Sequence, residues 1–310
     1  MLDQRDVGHR VVVRRRAGER DGRPVYSDAL GDLIALDDAE LTVLTRNGPL
    51  RIPRGDVVAG KRIPPPRMGT AALERIASEA WPAAERDRLG DWQLRATGGW
   101  TGRANSALAV GDPGLPLPDA VDAVVDWYAA RGLPPRINVP LPLAAAVGAV
   151  LDARGWLAAE PTLVQTAPLA ELTGIAEDAD EVRLASAPSP AWLAAVAGWK
   201  GALPPEAYGL LTGPSQVRFA EGYRDGALVA TARGAVVSGV LHLGLVEVSP
   251  AARRQGLAGR LTRTLVGWGR ENGAHTALLQ VEQSNGPAFA LYGALGFRTH
   301  HAYVTRTFSA

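Results

Sequence analysis

Residues 243–259 read Leu243-Gly244-Leu245-Val246-Glu247-Val248-Ser249-Pro250-Ala251-Ala252-Arg253-Arg254-Gln255-Gly256-Leu257-Ala258-Gly259. The apolar run ending at Val248 predicts a strand, Ser249-Pro250 an exit from it, and Arg253 to Gly256 a basic loop. Leu257, Leu261 and Leu265 recur at four-residue spacing, so a helix starts near Gly256. The first amides of a helix lack intrahelical acceptors and sit at the positive end of its dipole, a natural seat for a phosphate or pyrophosphate. Arg253 and Arg254 add charge, and Gly256 leaves the backbone open to a ligand. Two other phosphate-binding patterns are missing: no Gly-x-Gly-x-x-Gly follows a strand, and Gly-x-x-x-x-Gly-Lys-Ser/Thr does not occur.

The surrounding chain limits what chemistry this loop can serve. Its 310 residues, 46% hydrophobic and 21% charged, suit two or three well-cored domains and exclude a disordered or fibrous protein. Thirty-three basic against 32 acidic residues leave a net charge of +1, too little for a general affinity for nucleic acid. The absence of cysteine rules out a disulfide scaffold, a thiolate nucleophile and cysteine-ligated metal, and the five histidines are too scattered to predict a metal site. Only Lys61 and Lys200 are lysines, a compositional bias without functional weight. Met1 to Asp6 lacks the apolar core of a signal peptide, and the apolar run 141–151 is interrupted by Pro142 and too short for a bilayer, so a cytoplasmic protein with no membrane partner is expected.

Three sections are expected: 1–62, 63–175 and 176–310. The first alternates short apolar runs (Val11 to Val13, Leu33 to Leu36, Leu41 to Leu44, Leu50 to Ile52) with turn residues such as Asp21-Gly22 and Asn47-Gly48, which predicts a small SH3-like antiparallel barrel. Arg14-Arg15-Arg16 invites a nucleic-acid reading, but nearby aspartates balance it and Tyr26 is the sole aromatic platform, so a structural or partner-docking module fits better. Lys61 to Arg67, with Pro64-Pro65-Pro66, reads as a stiff linker. Beyond it, one ungapped shift, 127 to 268, also lays Gly132 on Gly273, Val150 on Leu291, Gly155 on Gly296 and Trp156 on Phe297. Each copy predicts a helix (120–130; 256–270), a strand (136–139; 276–281) and a second helix closed by glycine, hence α/β units with at least one parallel strand pair. The second copy starts earlier, with strands near 181–185, 216–223, 228–233 and 240–248 and helices near 190–200 and 206–211.

Arg253, Gly256 and Ala258, preceded by Val248-Ser249-Pro250, resemble the Arg/Gln-x-x-Gly-x-Gly/Ala signature of the GNAT superfamily of acetyl-CoA-dependent N-acetyltransferases. Gln280-Val281-Glu282, Asn285, Pro287-Ala288 and Leu291 to Phe297 resemble its later element. The resemblance covers 181–310. Over its whole length the chain resembles actinobacterial members with an N-terminal barrel and a tandem, degenerate plus active, acetyltransferase body.

The resemblance implies a mixed-sheet α/β fold and acetyl-CoA as cofactor. Its pantetheine arm would lie along Val246, Glu247 and Val248, its pyrophosphate on the loop and helix start formed by Arg253, Arg254, Gln255, Gly256, Leu257, Ala258 and Gly259, with Asn285, Ala288 and Tyr292 on the other side. It also implies direct transfer in a ternary complex to a primary amine of a small molecule or a protein. Such an amine, with pKa about 10, must lose a proton before attack, and the departing sulfur benefits from a proton donor. Tyr292 is the expected acid, against a plain core aromatic. His242 lies where some members carry a catalytic glutamate and competes as base with the carboxylates of Glu247 and Glu282 and with a water chain. Glu247 reaches the face of His242 only if a bulge intervenes.

In the first copy, Asp112-Pro113-Gly114-Leu115 falls where Arg253 to Gly256 sit, a poor seat for an anion, so that copy is expected to have lost cofactor and to cover the acceptor pocket. Trp100, Arg103 and Asn105, on a hairpin between 98 and 106, are its candidate acceptor contacts, able to meet a carboxylate or polar group. The competing functional class is a non-catalytic acyl-CoA sensor or adaptor that docks a partner through the barrel.

Overall fold

The computed structural model describes residues 2–45, 47–63, 68–172 and 182–308. The chain divides into two compact units, Met1–Arg67 and Met68–Ala310.

The first unit is all β. Strands β1 (Arg10–Arg20), β2 (Arg23–Leu36), β3 (Glu40–Thr45), β4 (Gly48–Pro53) and β5 (Val57–Arg62) form a small antiparallel, barrel-like sheet in the order β4-β3-β2-β1-β5. Asp21 and Gly22, both at positive φ (54° and 74°), make the tight β1–β2 turn. Alternation sends Val11, Val13, Leu33, Leu41, Val43 and Ile52 into one core. Strand β5 escaped the sequence reading because neither of its faces is buried, so it carries no apolar alternation. At Gly31 a side chain would stand 2.0 Å from the carbonyl oxygen of Leu44. Gly31→Ala is therefore expected to destabilise this unit by about 1–3 kcal/mol in thermal or chemical unfolding. The expected linker prolines, 64–66, lie outside the described residues.

The second unit begins with α1 (Thr70–Ala80), β6 (Glu85–Leu89), β7 (Trp92–Ala96), β8 (Ala107–Leu108), α2 (Leu117–Ala129), β9 (Arg136–Leu141), α3 (Ala145–Ala153), β10 (Leu157–Ala158) and β11 (Thr162–Pro168). It continues with β12 (Val182–Ala185), α4 (Pro190–Lys200), α5 (Pro205–Thr212), β13 (Val217–Arg224), β14 (Ala227–Val237), β15 (Val240–Val248), α6 (Leu257–Glu271), β16 (Thr276–Glu282), α7 (Gly286–Ala294) and β17 (Arg298–Thr307). The repeat is structural. Helix α2 joins the parallel pair β8/β9 as α6 joins β15/β16, and α3 and α7 follow. Gly132 and Gly273 (φ 63° and 80°), like Gly155 and Gly296 (72° and 101°), take the left-handed conformation just past their helices, and Trp156 and Phe297 are both buried.

One mixed sheet runs through both halves, in the order β12-β13-β14-β15-β16-β11-β17-β9-β8-β7-β6, with β10 beside β17. The halves exchange their last strands: β11, from the first, pairs with β16, and β17, from the second, pairs with β9. A buried pair adds to the exchange, Glu74 on α1 accepting at 2.8 Å from Nε2 of His301 on β17. Residues 68–310 thus share one hydrogen-bonded ladder, and the expected division at 175/176 falls outside the described residues. Their thermal unfolding is expected as one cooperative calorimetric transition; separate transitions for the two halves would contradict a shared ladder.

Candidate active site

The site opens where two parallel strands part. Strands β15 and β16 are hydrogen-bonded only from Val240–Leu243 against Thr276–Leu279. Beyond Leu243, the backbone of Val246, Glu247 and Val248 keeps β14 on one edge, and among the described residues no strand pairs with the other. A free strand edge of this kind can take an extended ligand by added hydrogen bonds. The strand also bulges. Arg233 on β14 pairs with Gly244 and Thr231 with Glu247, so β15 spends one extra residue, and Leu245 takes up φ 52°. That shift brings Glu247 onto the face of His242, the condition left open by the sequence.

The end of the splayed strand leads into the start of α6. Gly256 is its N-cap at φ 81°, with no side chain capping it, and Arg260 makes the first main-chain bond into the helix, to Gly256 at 3.0 Å. The amides of Leu257, Ala258 and Gly259 therefore lead a fifteen-residue helix without intrahelical acceptors. Arg254, at φ 61°, and Gln255 are exposed beside them. Arg253 is turned the other way: Nε donates to the Val248 carbonyl at 3.0 Å and Nη2 to Glu247 Oε1 at 2.9 Å. It braces the strand end. Free amides, a glycine cap and an open strand edge, contiguous along the chain, fit the pyrophosphate and amide-bearing arm of acetyl-CoA.

Opposite stands α7. Asn285 caps it, Oδ1 accepting from the Ala288 amide at 3.2 Å, and Ala288 is half-buried. Tyr292 is buried in the cluster that includes Val248, Leu257, Val281 and Phe297, and burial alone pushes its pKa up to about 12. Glu282, at the end of β16, is exposed. Lys200 joins the charges here: withdrawal of its ammonium from water lowers its pKa and Arg103 adds to this, while Glu282 and Glu247 oppose it.

His242 is fully buried, and among the described residues its ring has only a weak polar contact, with the Gln280 side chain. Burial holds its pKa well below the usual imidazole value, the nearby guanidinium groups of Arg103 and Arg233 lower it further, and the Gln280 side chain only partly opposes them. A neutral imidazole so reluctant to protonate is a poor acceptor for an ammonium proton, which counts against the expected base.

The hairpin of the first half reaches this region. Trp100 is buried and stacks on Trp81 with ring centroids 6.0 Å apart. Arg103 donates from Nη1 to Oε1 of Gln280 on β16, and its guanidinium lies 5.5 Å from the Trp81 ring. Asn105 does not face an acceptor. Its Oδ1 accepts from the amides of Thr97 and Gly99 (2.8 and 3.0 Å), and Nδ2 donates to the carbonyls of Trp100 and Thr101 (2.7 and 2.9 Å), so it orders the loop. The loop before α2 seats carboxylates where the one before α6 is basic: the Asp112 amide donates to Asp91 Oδ2 at 3.0 Å and the Gly114 amide to Asp112 Oδ1 at 2.8 Å. Pro118 then deletes an amide from the first turn.

Two residues at the centre of the site were missed, Trp81 and Arg233. An arginine within the apolar run 228–237 was the available signal; nothing in sequence marked Trp81 as its neighbour.

The family model "Probable histone acetyltransferase Rv0428c C-terminal" matches residues 70–305. Along its length the chain is 32% identical to "Probable histone acetyltransferase Rv0428c" of Mycobacterium tuberculosis, over 97% of this chain and 95% of that one. It is 26% identical to "Uncharacterized N-acetyltransferase YobR" of Bacillus subtilis, over 76% of this chain and 98% of that one. Among solved structures, a GCN5-related N-acetyltransferase from Kribbella flavida superposes with TM-score 0.61 at 20% identity (78% of this chain, 97% of that one). A tandem GNAT protein from the clavulanic acid biosynthesis pathway gives 0.53 at 16% identity (80% and 89%). With the splayed strands, the bulge and the uncapped helix start in place, these matches show that the chain belongs to the Rv0428c C-terminal family of GNAT acetyltransferases and is an acetyl-CoA-dependent acyltransferase.

Proposed function

We propose that this protein moves the acetyl group of acetyl-CoA directly onto a primary amine, with the donor held by the second half alone. The observation that carries this reading is the continuity of the open edge at Val246–Val248 with the amides of Leu257–Gly259. Those amides, with Arg254, would hold the pyrophosphate, and the strand edge would hold the arm, with Asn285 and Ala288 on the far side. Bound acetyl-CoA supplies the activated thioester.

Burial keeps Tyr292 protonated through the working pH range, and although the same burial weakens it as an acid, its hydroxyl is available to hydrogen-bond the departing sulfur as negative charge develops there. Glu247 shares the bulged face and remains partly open to water, and so is the better-placed acceptor for the amine proton, directly or through a water. Its contact with Arg253 fixes its direction. The first half, with carboxylates in its own loop, serves as a cover that presents Trp100 and Arg103. A cover of this kind suits a small amine better than a peptide, although the name of the mycobacterial relative points to a histone for that protein.

The test is release of free CoA thiol from acetyl-CoA over a panel of small amines and a basic peptide. Turnover with a small amine supports the reading, and preference for the peptide would move the acceptor to protein lysines. Donor binding without turnover on any amine, indifferent to Tyr292→Phe, would leave a sensor in place of an enzyme.

A further inference from the structure

Arg233, on β14, is fully buried, and among the described residues no carboxylate bonds it. Nε donates to the Leu211 carbonyl at 2.8 Å, while Nη1 and Nη2 have no partner among the described residues. Burial and the second cation, Arg103, push its pKa down to about 9. Its guanidinium lies 5.0 Å from the Trp81 ring, which also has Arg103 at 5.5 Å, Trp100 at 6.0 Å and His242 at 6.5 Å. Trp100 Nε1 is likewise buried without a partner among the described residues. Glu221 on β13, registered opposite Thr231, accepts from the Tyr223 hydroxyl at Oε2 (2.9 Å), while its Oε1 is buried without a partner among the described residues and bonds neither arginine.

A buried guanidinium is normally matched by a carboxylate, because desolvating a charge is costly without one. Here two cations and an indole donor converge around one ring with no anion among them. With Nε engaged, the two terminal nitrogens of Arg233 form a fork suited to a bidentate carboxylate. Arg233 is paired with Gly244, beside the bulge, and two residues along β14 from Thr231, the partner of Glu247. That spacing is about 7 Å along a strand.

From this geometry we infer, as a deepening of the acetyltransferase reading and resting on it, that Arg233, Arg103 and Trp100 bind a carboxylate of the acceptor, which is a small amino acid-like compound whose amine lies a few bonds from that carboxylate. The arginine–tryptophan cluster is then the determinant of acceptor class, with Arg233 holding the anion and Trp81 setting the spacing of the two guanidinium groups.

The test uses the full chain and matched probes: free L-amino acids, the same amino acids as C-terminal amides, and O-phosphoserine. Thiol release from acetyl-CoA should favour the free acids over the amides by about 100-fold, as expected for loss of a bidentate charged contact. Free amino acids should raise the melting temperature of the wild type and not that of Arg233→Met. Without ligand, Arg233→Met should melt no lower than wild type, since it removes an unmatched buried cation. Arg233→Lys, which keeps charge and loses the fork, tests the same point should the methionine variant fail to fold. Equal use of acids and amides, or a preference confined to the phosphate-bearing probe, would overturn the inference. So would an unliganded Arg233→Met that folds but melts several degrees lower, the mark of a purely structural arginine. Calorimetric binding of acetyl-CoA is measured alongside: if it persists while the acid preference is missing, the acceptor inference alone has failed, and if it is absent the transferase reading has failed first.

Discussion

Gly256→Val should weaken acetyl-CoA binding by about 10- to 100-fold, or ~1.4–2.8 kcal/mol. At φ 81° the residue is in the left-handed region, which costs a β-branched side chain more than 1 kcal/mol and drives the loop toward another conformation. The amides of Leu257 to Gly259 would then lose their common direction. Space is not the obstacle, for a side chain at Gly256 would meet only Arg260, at 4.0 Å. The fold should therefore survive. Gly273→Val supplies the comparison: φ 80° and open surroundings at the far end of the same helix give a similar backbone strain, yet binding should be unchanged. Equal effects of the two variants on affinity would show that helix strain, not the phosphate seat, was being measured.

Tyr292→Phe should lower kcat by about 10²- to 10³-fold while leaving acetyl-CoA affinity nearly unchanged, since only a proton donor is removed. The buried ring keeps its packing, including the edge contact with Phe297 at 5.7 Å. The pH dependence has a definite sign. Burial raises the folded pKa from 10.0 to about 12, so the folded state holds this proton more tightly than the unfolded chain. The resulting stability is complete below pH 10 and is lost as pH climbs toward 12. In the phenylalanine variant that part of the alkaline decline in melting temperature should vanish. Unchanged kcat in Tyr292→Phe would reduce the residue to a core aromatic.

Much of the second unit was legible where an element carries a local signal. Glycines past helix ends, four-residue leucine spacing in α6 and the apolar run of β15 placed α2, β9, α4 to α6 and β12 to β16 to within a few residues, while α1, β6 to β8, β11 and β17 were not foreseen. The strand exchange was not legible: β11 and β17 look alike in burial and alternation whichever half they join, and pairing partners leave no local trace. Site residues divided in the same way. Gly256 and Tyr292 belong to contiguous motifs, so sequence could single them out as candidates. The environment of His242 depends on Arg103, Trp81 and Arg233, drawn from other parts of the chain, so its depressed pKa could not be foreseen. Asn105 had the right chemistry for a ligand contact, and only the loop geometry reveals that its amide is already occupied.

Of the two related halves, only the second is proposed to hold the donor. Isothermal titration of acetyl-CoA into the full chain measures this directly through stoichiometry. One donor per chain, lost or weakened by Gly256→Val, is the predicted result. Two donors per chain, or one whose affinity ignores Gly256, would place the cofactor elsewhere and contradict the account.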